Sequence, residues 1–496
     1  MRQGPLAGRY PAAAAMVIFA LVPYLGLSAA LQPLTPMIGH QLHMSMQTMS
    51  LGFGMANAGY AVGTVLAVQF AQHFPQRRMM VLYAALLVIG SVLAAAAQDP
   101  AMFIAGHVLQ GLCTSLLLIA AVPPLAIGFG LARIRSTAMI MNVCIFGAVA
   151  LGPTIGGIQA GAHAWRPLFW VIAAISLAAL ALTVLTFEDA PAADPDAPRD
   201  PVALGLAATG CVAAFYGASE LLTHPFLSAQ TFGPLVLGLA LIVALVVNQY
   251  RARRPLLMIR SMLTSTVPVA GILVALSAAA ASVTATELTA SALAPHYTAV
   301  HLGLLFLPEL GGALLTAVML GVVLNKRQLH YLPLVGMAFL AAGIAVFRVQ
   351  VPPSQTLTLI GSALTGIGLG AAVAPALFVA GFSLPAASLQ RVFAIVELFR
   401  AVAAFLVAPV FAHFAVTVGA NPRTGTGIVL WIGLGIAISG ALGAVLLYAL
   451  GGARPRTPDL ARFMDGDGPA WYSPPLLAAV RNRQRRGVLA EEPGRS

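Results

Sequence analysis

Residues 136–160 read STAMIMNVCIFGAVALGPTIGGIQA, a run without one aspartate, glutamate, lysine, arginine or histidine, set between Arg135 and Arg166. A bilayer core of ~30 Å is crossed by roughly 20 apolar residues in a helix. In lipid no backbone polar group can go unpaired, so a run of this length predicts a membrane-spanning helix rather than a buried strand. Small residues recur in it at every fourth position, Ala148, Gly152, Gly156 and Ala160, and share one helix face where a second helix can approach closely. Pro153 removes a backbone donor and predicts a bend at that point.

The rest of the chain repeats the pattern. Hydrophobic residues make up 59% of 496 positions and charged residues 8%, against about a quarter charged in soluble proteins. With so few charges the chain cannot cover a water-facing surface, and lipid must be its solvent. Further apolar runs lie near 11–33, 50–72, 79–98, 101–127, 167–187, 201–222, 231–250, 264–290, 301–324, 330–349, 356–381, 391–417 and 424–450. With 136–160 these make fourteen spans, so the fold class is an all-α polytopic membrane protein. The first run follows Arg2 and Arg9, is long enough to span, and is expected to stay uncleaved.

The net charge of +11 would suit a nucleic-acid partner, but the charges sit between and beyond the apolar runs, the pattern of membrane topology. Of the 26 basic residues only Arg166, Arg348 and Arg423 fall in loops on one side, and Arg400 lies inside a span. The remainder share the side of both termini, which the positive-inside rule assigns to the cytoplasm. An inner-membrane location follows. Lysine is almost absent beside abundant Ala, Gly and Arg (Lys326 alone), a bias that suggests a high-GC bacterial genome. Cys113, Cys144 and Cys211 lie inside apolar runs as small core residues, supporting neither a disulfide framework nor a metal site. Residues 188–200, EDAPAADPDAPRD, form an acidic proline-rich linker. The expected division is therefore a six-helix half over 1–187, that linker, an inserted two-helix hairpin over 201–250, a second six-helix half over 251–450, and a basic tail over 451–496. In the tail, Trp471, Tyr472, Leu476, Leu477 and Val480 precede Arg481, Arg483, Arg485 and Arg486. A helix lying on anionic headgroups and a solvated tail are both open readings.

Several short motifs point to one family. Gly152-Pro153-Thr154-Ile155-Gly156-Gly157, preceded by Ala148, resembles the antiporter motif G-P-x-x-G-G of the major facilitator superfamily. Trp165-Arg166 with Phe169 resembles the W-R-x-x-F that opens the next span. His107 to Gly111 resembles R-x-x-Q-G with histidine for arginine. Gly303 to Pro308, and Gly366-Ile367-Gly368-Leu369-Gly370 with Pro375, resemble runs of the second half. In order and spacing the chain is similar to the fourteen-span drug:proton antiporters, as a divergent member. That resemblance implies two halves with a substrate path at the midplane between them. Departures are specific: the first cytoplasmic loop keeps Ala71, Arg77 and Arg78 but has Gln72 for the usual aspartate, His73 for an arginine and Pro75 for a glycine. Asn325 replaces the aspartate of the second copy, and Leu27 to Gln32 holds no acid.

If two halves move, the small-residue face of span five reads either as plain helix packing or as a pliable contact between halves. Ala313, Ala317 and Gly321 in span ten offer the expected partner face. His107, Gln110, Gly111 and Thr114 share one face of span four. His107 is then either a hydrogen-bonded core histidine or a proton acceptor, since imidazole titrates near neutral pH. Glu309, just past Pro308, sits where a charge costs ~3 kcal/mol, and intramembrane acids are functional by default. Glu287 in span nine is expected near it. These three are the proton-coupling candidates. Glu397 and Arg400, three apart, read as a structural ion pair, and Glu220 is expected to be wet. Gln32, Asn57, Tyr60, Gln110, Asn142 and Phe146 are candidates to line the cavity, or else bond between helices.

No P-loop, metal-ligand spacing or nucleophile constellation is present, so neither an enzyme nor a cofactor is expected. The implied function is secondary active export of amphipathic or cationic small molecules, with the proton as coupling ion. Facilitated or differently coupled transport of an endogenous metabolite or lipid is the alternative. A membrane receptor or lipid-acting enzyme is a third reading, and the sequence is silent on a periplasmic adaptor.

Overall fold

A computed structural model describes residues 4–186, 191–192 and 194–480. Arg2, most of the acidic start of the linker and the arginines from Arg481 onward lie outside the described residues, and with them that part of the linker and tail readings.

Among the described residues, fourteen helices are long and apolar enough to cross a membrane. They are α1 (Tyr10–Gln41), α2 (Met46–His73), α3 (Gln76–Ala95), α4 (Pro100–Ile127), α5 (Leu131–Gly161), α6 (Arg166–Thr186) and α7 (Pro201–Leu222). The second seven are α8 (Ala229–Arg251), α9 (Thr266–Leu293), α10 (Ala299–Val323), α11 (Leu332–Val349), α12 (Gln355–Phe382), α13 (Ala386–Thr417) and α14 (Pro422–Gly451). Side-chain caps fix many of the starts. Ser45 Oγ accepts from Thr48 N (3.1 Å) ahead of α2, and Asp99 Oδ1 from Met102 N (2.9 Å) ahead of α4. Asp200, Ser228, Thr298, Ser354 and Asn421 do the same for α7, α8, α10, α12 and α14, each satisfying a donor the first turn leaves free. Past the end of α14, Gly452 takes the left-handed conformation (φ 67°) that terminates a helix without a Cβ penalty.

The predicted spans are all present, with one clear extension. Span one holds Pro23 and Pro33 and continues eight residues beyond its expected end at 33, through Pro36, to Gln41. Prolines inside a spanning helix are tolerated where packed neighbours surround the freed carbonyls, and here Gly156 of α5 sits against Ala30 and Pro33.

Helices α1–α6 pack mainly on one another, as do α9–α14. The hairpin α7–α8 packs through α7 on α2, while α8 turns Val236, Leu239 and Val243 outward as lipid-facing surface. Its entry is tied to the face that carries the chain's first and last described residues, called here the terminal face. His73 Nε2 donates to the Ala197 carbonyl (2.9 Å), and Gln249 Nε2 donates to Asp200 Oδ2 (2.7 Å). Residues 452–480 then fold back across that face. Thr266 N donates to Pro474 O (2.9 Å), Leu476 N to Thr264 O (3.0 Å) and Ala470 N to Phe382 O (2.8 Å). A short helix, Leu460–Met464, sets Phe463 against Phe382 (ring centroids 5.0 Å), and Trp471 lies over His330 (4.4 Å). Pro458–Ala461 also border Leu131–Arg135 at the start of α5, so this cap reaches from one bundle to the other.

Candidate functional site

Span ten is built to hold a charge. Its helix is interrupted at Phe306, between Ala299–Leu305 and Leu307–Val323, with Pro308 in the first turn of the second segment. Glu309 therefore stands in the first turn of a helix, where free N–H groups and the helix dipole favour an anion. Phe306 itself keeps right-handed backbone angles, and Glu309 N donates to its carbonyl (3.0 Å), so Ala299–Val323 remains one span with a tightened turn ahead of Glu309.

Glu309 lines a cavity of about 340 Å³ together with Gln32, Pro153, Glu287 and Phe306. A second cavity of about 370 Å³ is lined by Asn57, His107, Phe53, Phe405 and Phe215, and again by Gln32 and Glu287. Ser28, Ala29, Gln32, Val149, Val283 and Glu287 border both, so the two are lobes of one chamber between the bundles. Its mouth lies on the face opposite the termini, beside Met46 at the start of α2, Leu222 at the end of α7 and Tyr297 before α10. The three titratable candidates all reach it: Glu309 in one lobe, His107 in the other, Glu287 in both. Neither lobe has a lysine or arginine among its lining residues.

Glu287 is exposed to the chamber, whereas Glu309 is buried at 5% exposure. His107 is buried in an aromatic box, its ring centroid 5.5 Å from Tyr24, 5.7 Å from Phe53 and 6.0 Å from Phe103. Its Nδ1 lies 3.2 Å from Gln110 Oε1, and Gln110 Nε2 donates to Ser91 Oγ (3.2 Å). His107 thus touches Gln110 on one side and borders the second lobe on the other.

Of the cavity candidates, Gln32 and Asn57 line the chamber, and Asn57 Oδ1 accepts from Tyr24 Oη (3.2 Å). Tyr60, Gln110, Asn142 and Phe146 lie elsewhere, in packed helix contacts. Gln110 is fully buried in its bond to α3. Asn142 crosses between bundles, donating Nδ2 to Gly370 O (3.2 Å). Tyr60 does too: its hydroxyl donates to Glu397 Oε2 (3.2 Å) and accepts from Arg400 Nη2 (3.3 Å). The pair Glu397–Arg400 is present at 2.7 Å, buried, and joined across the two bundles rather than merely local. With Phe405 against Tyr60 (6.1 Å), this cluster closes the contact between α2 and α13.

The small-residue face of α5 meets a different partner from the one expected. Gly152 and Gly156 face Gly26, Ala29 and Ala30 of α1, inside the same bundle, while Gly321 of α10 faces Met139. The turn beside that face reaches α10: Thr154 Oγ1 donates to Gly303 O (2.9 Å), and Gly157 packs on the Ala299 backbone. The antiporter-motif residues Gly152, Pro153, Gly156 and Gly157 therefore serve both contacts. Regular α geometry breaks at Val143–Gly147, one π-helical turn ahead of Pro153, and the helix runs unbroken through the proline. Such a turn leaves a wider backbone loop, a feature frequent at functional sites.

Two further expectations change. Glu220 is buried (5% exposed) because α2 covers it: it accepts from Gln47 Nε2 (3.0 Å) and pairs with His224 (3.1 Å). In the loop motif, the Gln72 carbonyl accepts from Asp194 N (3.1 Å) and Arg77 donates to Val184 O (3.2 Å), so its remnant anchors linker and α6 rather than an acidic partner. Arg78 adjoins it at the start of α3. Sequence reasoning missed Phe53, Phe215, Leu222 and Phe405 as chamber walls, since aromatic and aliphatic residues in a span carry no mark of which face they serve. Among the described residues no cluster of His, Cys, Asp or Glu is arranged to hold a metal.

A chamber between two bundles of a polytopic membrane protein is the arrangement of a transporter. Residues 16–325 match the model of the Major Facilitator Superfamily, and the chain belongs to that superfamily of transporters. It is 27% identical over 323 residues to the "Multidrug resistance protein B homolog" of Mycobacterium tuberculosis (strain ATCC 25618 / H37Rv), covering 62% of this chain and 57% of that one. It is 24% identical over 267 residues to the "Uncharacterized MFS-type transporter YubD" of Bacillus subtilis (strain 168), covering 52% and 51%. The chain spans about half the length of the curated relatives it matches. A crystal structure of a POT family transporter in complex with a thioalcohol-conjugated peptide shares the fold, with TM-score 0.61, 13% identity, and coverage of 89% and 96%.

Proposed function

We propose that this transporter exports lipophilic cations in exchange for protons. The observation that carries the reading is the chamber: an aromatic and aliphatic space into which two carboxylates, Glu287 and Glu309, project without a basic partner among the lining residues. A greasy body suits such walls, and a cation suits uncompensated carboxylates. Proton and substrate then compete for the same acids, which is the minimal requirement for exchange: each ligand must shift the balance between the two facing states. His107 serves as a second proton acceptor at the wall of the other lobe. The relatives named for multidrug resistance favour this substrate class.

In this reading the terminal face is cytoplasmic, as the arginine distribution argues, and the chamber is open to the outside of an inner membrane. The halves 1–187 and 251–450 rock about the chamber, the hairpin 201–250 stays with α2, and residues 452–480 cap the cytoplasmic side. Leu27 to Gln32 of α1 holds no acid where such antiporters commonly carry one, and this reading assigns coupling to Glu287 and Glu309 instead.

The test is proton movement in proteoliposomes holding a pH-sensitive dye, driven by tetraphenylphosphonium or ethidium. Wild type is expected to move protons against the cation, and Glu309→Gln or Glu287→Gln to lose at least about tenfold of that flux, the equivalent of ~1.4 kcal/mol. His107→Ala is expected to lower it less. Cation movement with no proton flux would overturn exchange and favour a facilitator on the same fold.

A further inference from the structure

The two seams between the bundles are closed in different ways. On one side α5 and α10 touch directly near the open end of the chamber, through Thr154 on Gly303 and Gly157 on Ala299. On the other side α2 and α13 meet at Tyr60, Glu397, Arg400 and Phe405, further from the mouth. Toward the mouth, α7 stands between them. Gly54 of α2 lies against Phe215 and Ser219, and Ser219 Oγ donates to Ser50 O (3.2 Å). Gln47 at the start of α2 donates to Glu220 (3.0 Å), and His413 of α13 donates Nδ1–H to the Leu221 carbonyl (3.0 Å). One helix of the hairpin is thus fastened to both bundles across the gap, and Phe215, Ala218, Ser219 and Leu222 face the chamber beside Phe53, His107 and Phe405.

We infer that α7 of the inserted hairpin is a wall of the substrate chamber and sets specificity for the apolar part of the substrate. The inference deepens the cation reading and rests on it. A slot between α2 and α13 at this depth would admit acyl chains; α7 fills it. A cation whose charge lies at Glu287 then presents its apolar body to Phe215 and Leu222. Val212, two turns nearer the terminal face, is 45% exposed and does not line the chamber.

The experiment uses the full chain in proteoliposomes with Cys113, Cys144 and Cys211 changed to alanine. Single cysteines are placed at Ala218→Cys, Leu222→Cys, Gln32→Cys and Val212→Cys, and labelled with a charged, membrane-impermeant methanethiosulfonate. Labelling is expected at 32, 218 and 222, slowed about tenfold by saturating tetraphenylphosphonium, and absent at 212. Protection at 32 but at neither hairpin position overturns the wall and leaves the cation reading standing. Labelling at 212 as fast as at 222 overturns it as well, because the label would then reach the helix away from the chamber. Protection at none of the three overturns the cation reading, and this inference falls with it. A second arm guards against a merely structural effect: Leu222→Ala is expected to raise the KM for tetraphenylphosphonium about tenfold with kcat changed less than about twofold, the signature of lost binding. Equal losses for tetraphenylphosphonium and for a small hydrophilic cation such as tetramethylammonium would count against specificity.

Discussion

The Tyr60 hydroxyl holds two partners on the other bundle, donating to Glu397 and accepting from Arg400. All three side chains are buried, so every change there leaves a polar group to account for. Tyr60→Phe removes both bonds while keeping the ring against Phe405, and is expected to cost ~1–2 kcal/mol. The same change weakens the closed contact between α2 and α13, so thiol labelling from the terminal face should quicken. Arg400→Met strands the Glu397 carboxylate and is expected to cost ~3–5 kcal/mol. The double change Glu397→Gln with Arg400→Met should restore most of that loss. Thermal unfolding in detergent measures both; a double variant no more stable than Arg400→Met would show that the cluster is not held by its charges.

At the scale of helices, Gly152 and Gly157 separate two functions of α5 that sit one turn apart. A side chain at Gly152 would meet α1 within its own bundle, and one at Gly157 would meet Ala299 across the seam. Overpacking of this kind costs ~1–3 kcal/mol. Gly152→Val is therefore expected to lower the yield of folded protein. Gly157→Val should leave both bundles folded and hold the seam apart, slowing transport about tenfold or more; equal loss of folded protein from both would erase the distinction. The sequence gives these helices readily and their partners poorly. Fourteen apolar runs declared the spans, and Pro308 marked where Glu309 would stand within one of them. Helical periodicity told that Gly152 and Gly156 share a face, but not that Gly26, Ala29 and Ala30 of α1 receive it. For the same reason the sequence put Gln32, Asn57, Tyr60, Gln110, Asn142 and Phe146 forward alike, and could not tell that only the first two border the chamber. The walls from α7 were illegible because nothing local shows that this helix borders the chamber.

Across the whole molecule, the cap formed by residues 452–480 joins the bundles at the face opposite the chamber mouth. His330, in the loop between α10 and α11, is buried beneath Trp471, and burial pushes its imidazole down from 6.5 to about 4. An undocked His330 takes a proton near 6.5, the docked one only near 4, so acid favours the undocked form. Docking is expected to be complete above about pH 6.5 and to weaken steadily as pH falls toward about 4. Hydrogen exchange over residues 459–476 should rise across that window, and His330→Phe should remove most of the dependence. An exchange rate indifferent to pH in wild type would show that His330 does not govern the cap.

That cap also imposes an order on biosynthesis. Its strand-like pairings with Thr264 and Thr266 and its packing on Phe382 use residues that leave the ribosome after α14. The insertion machinery can therefore release all fourteen spans into the bilayer while Phe382 and His330 are still bare. A chain interrupted just past Gly452 would carry the fourteen described membrane helices and yet display an unfinished apolar surface, the kind of exposed patch by which quality-control proteases recognise incomplete proteins.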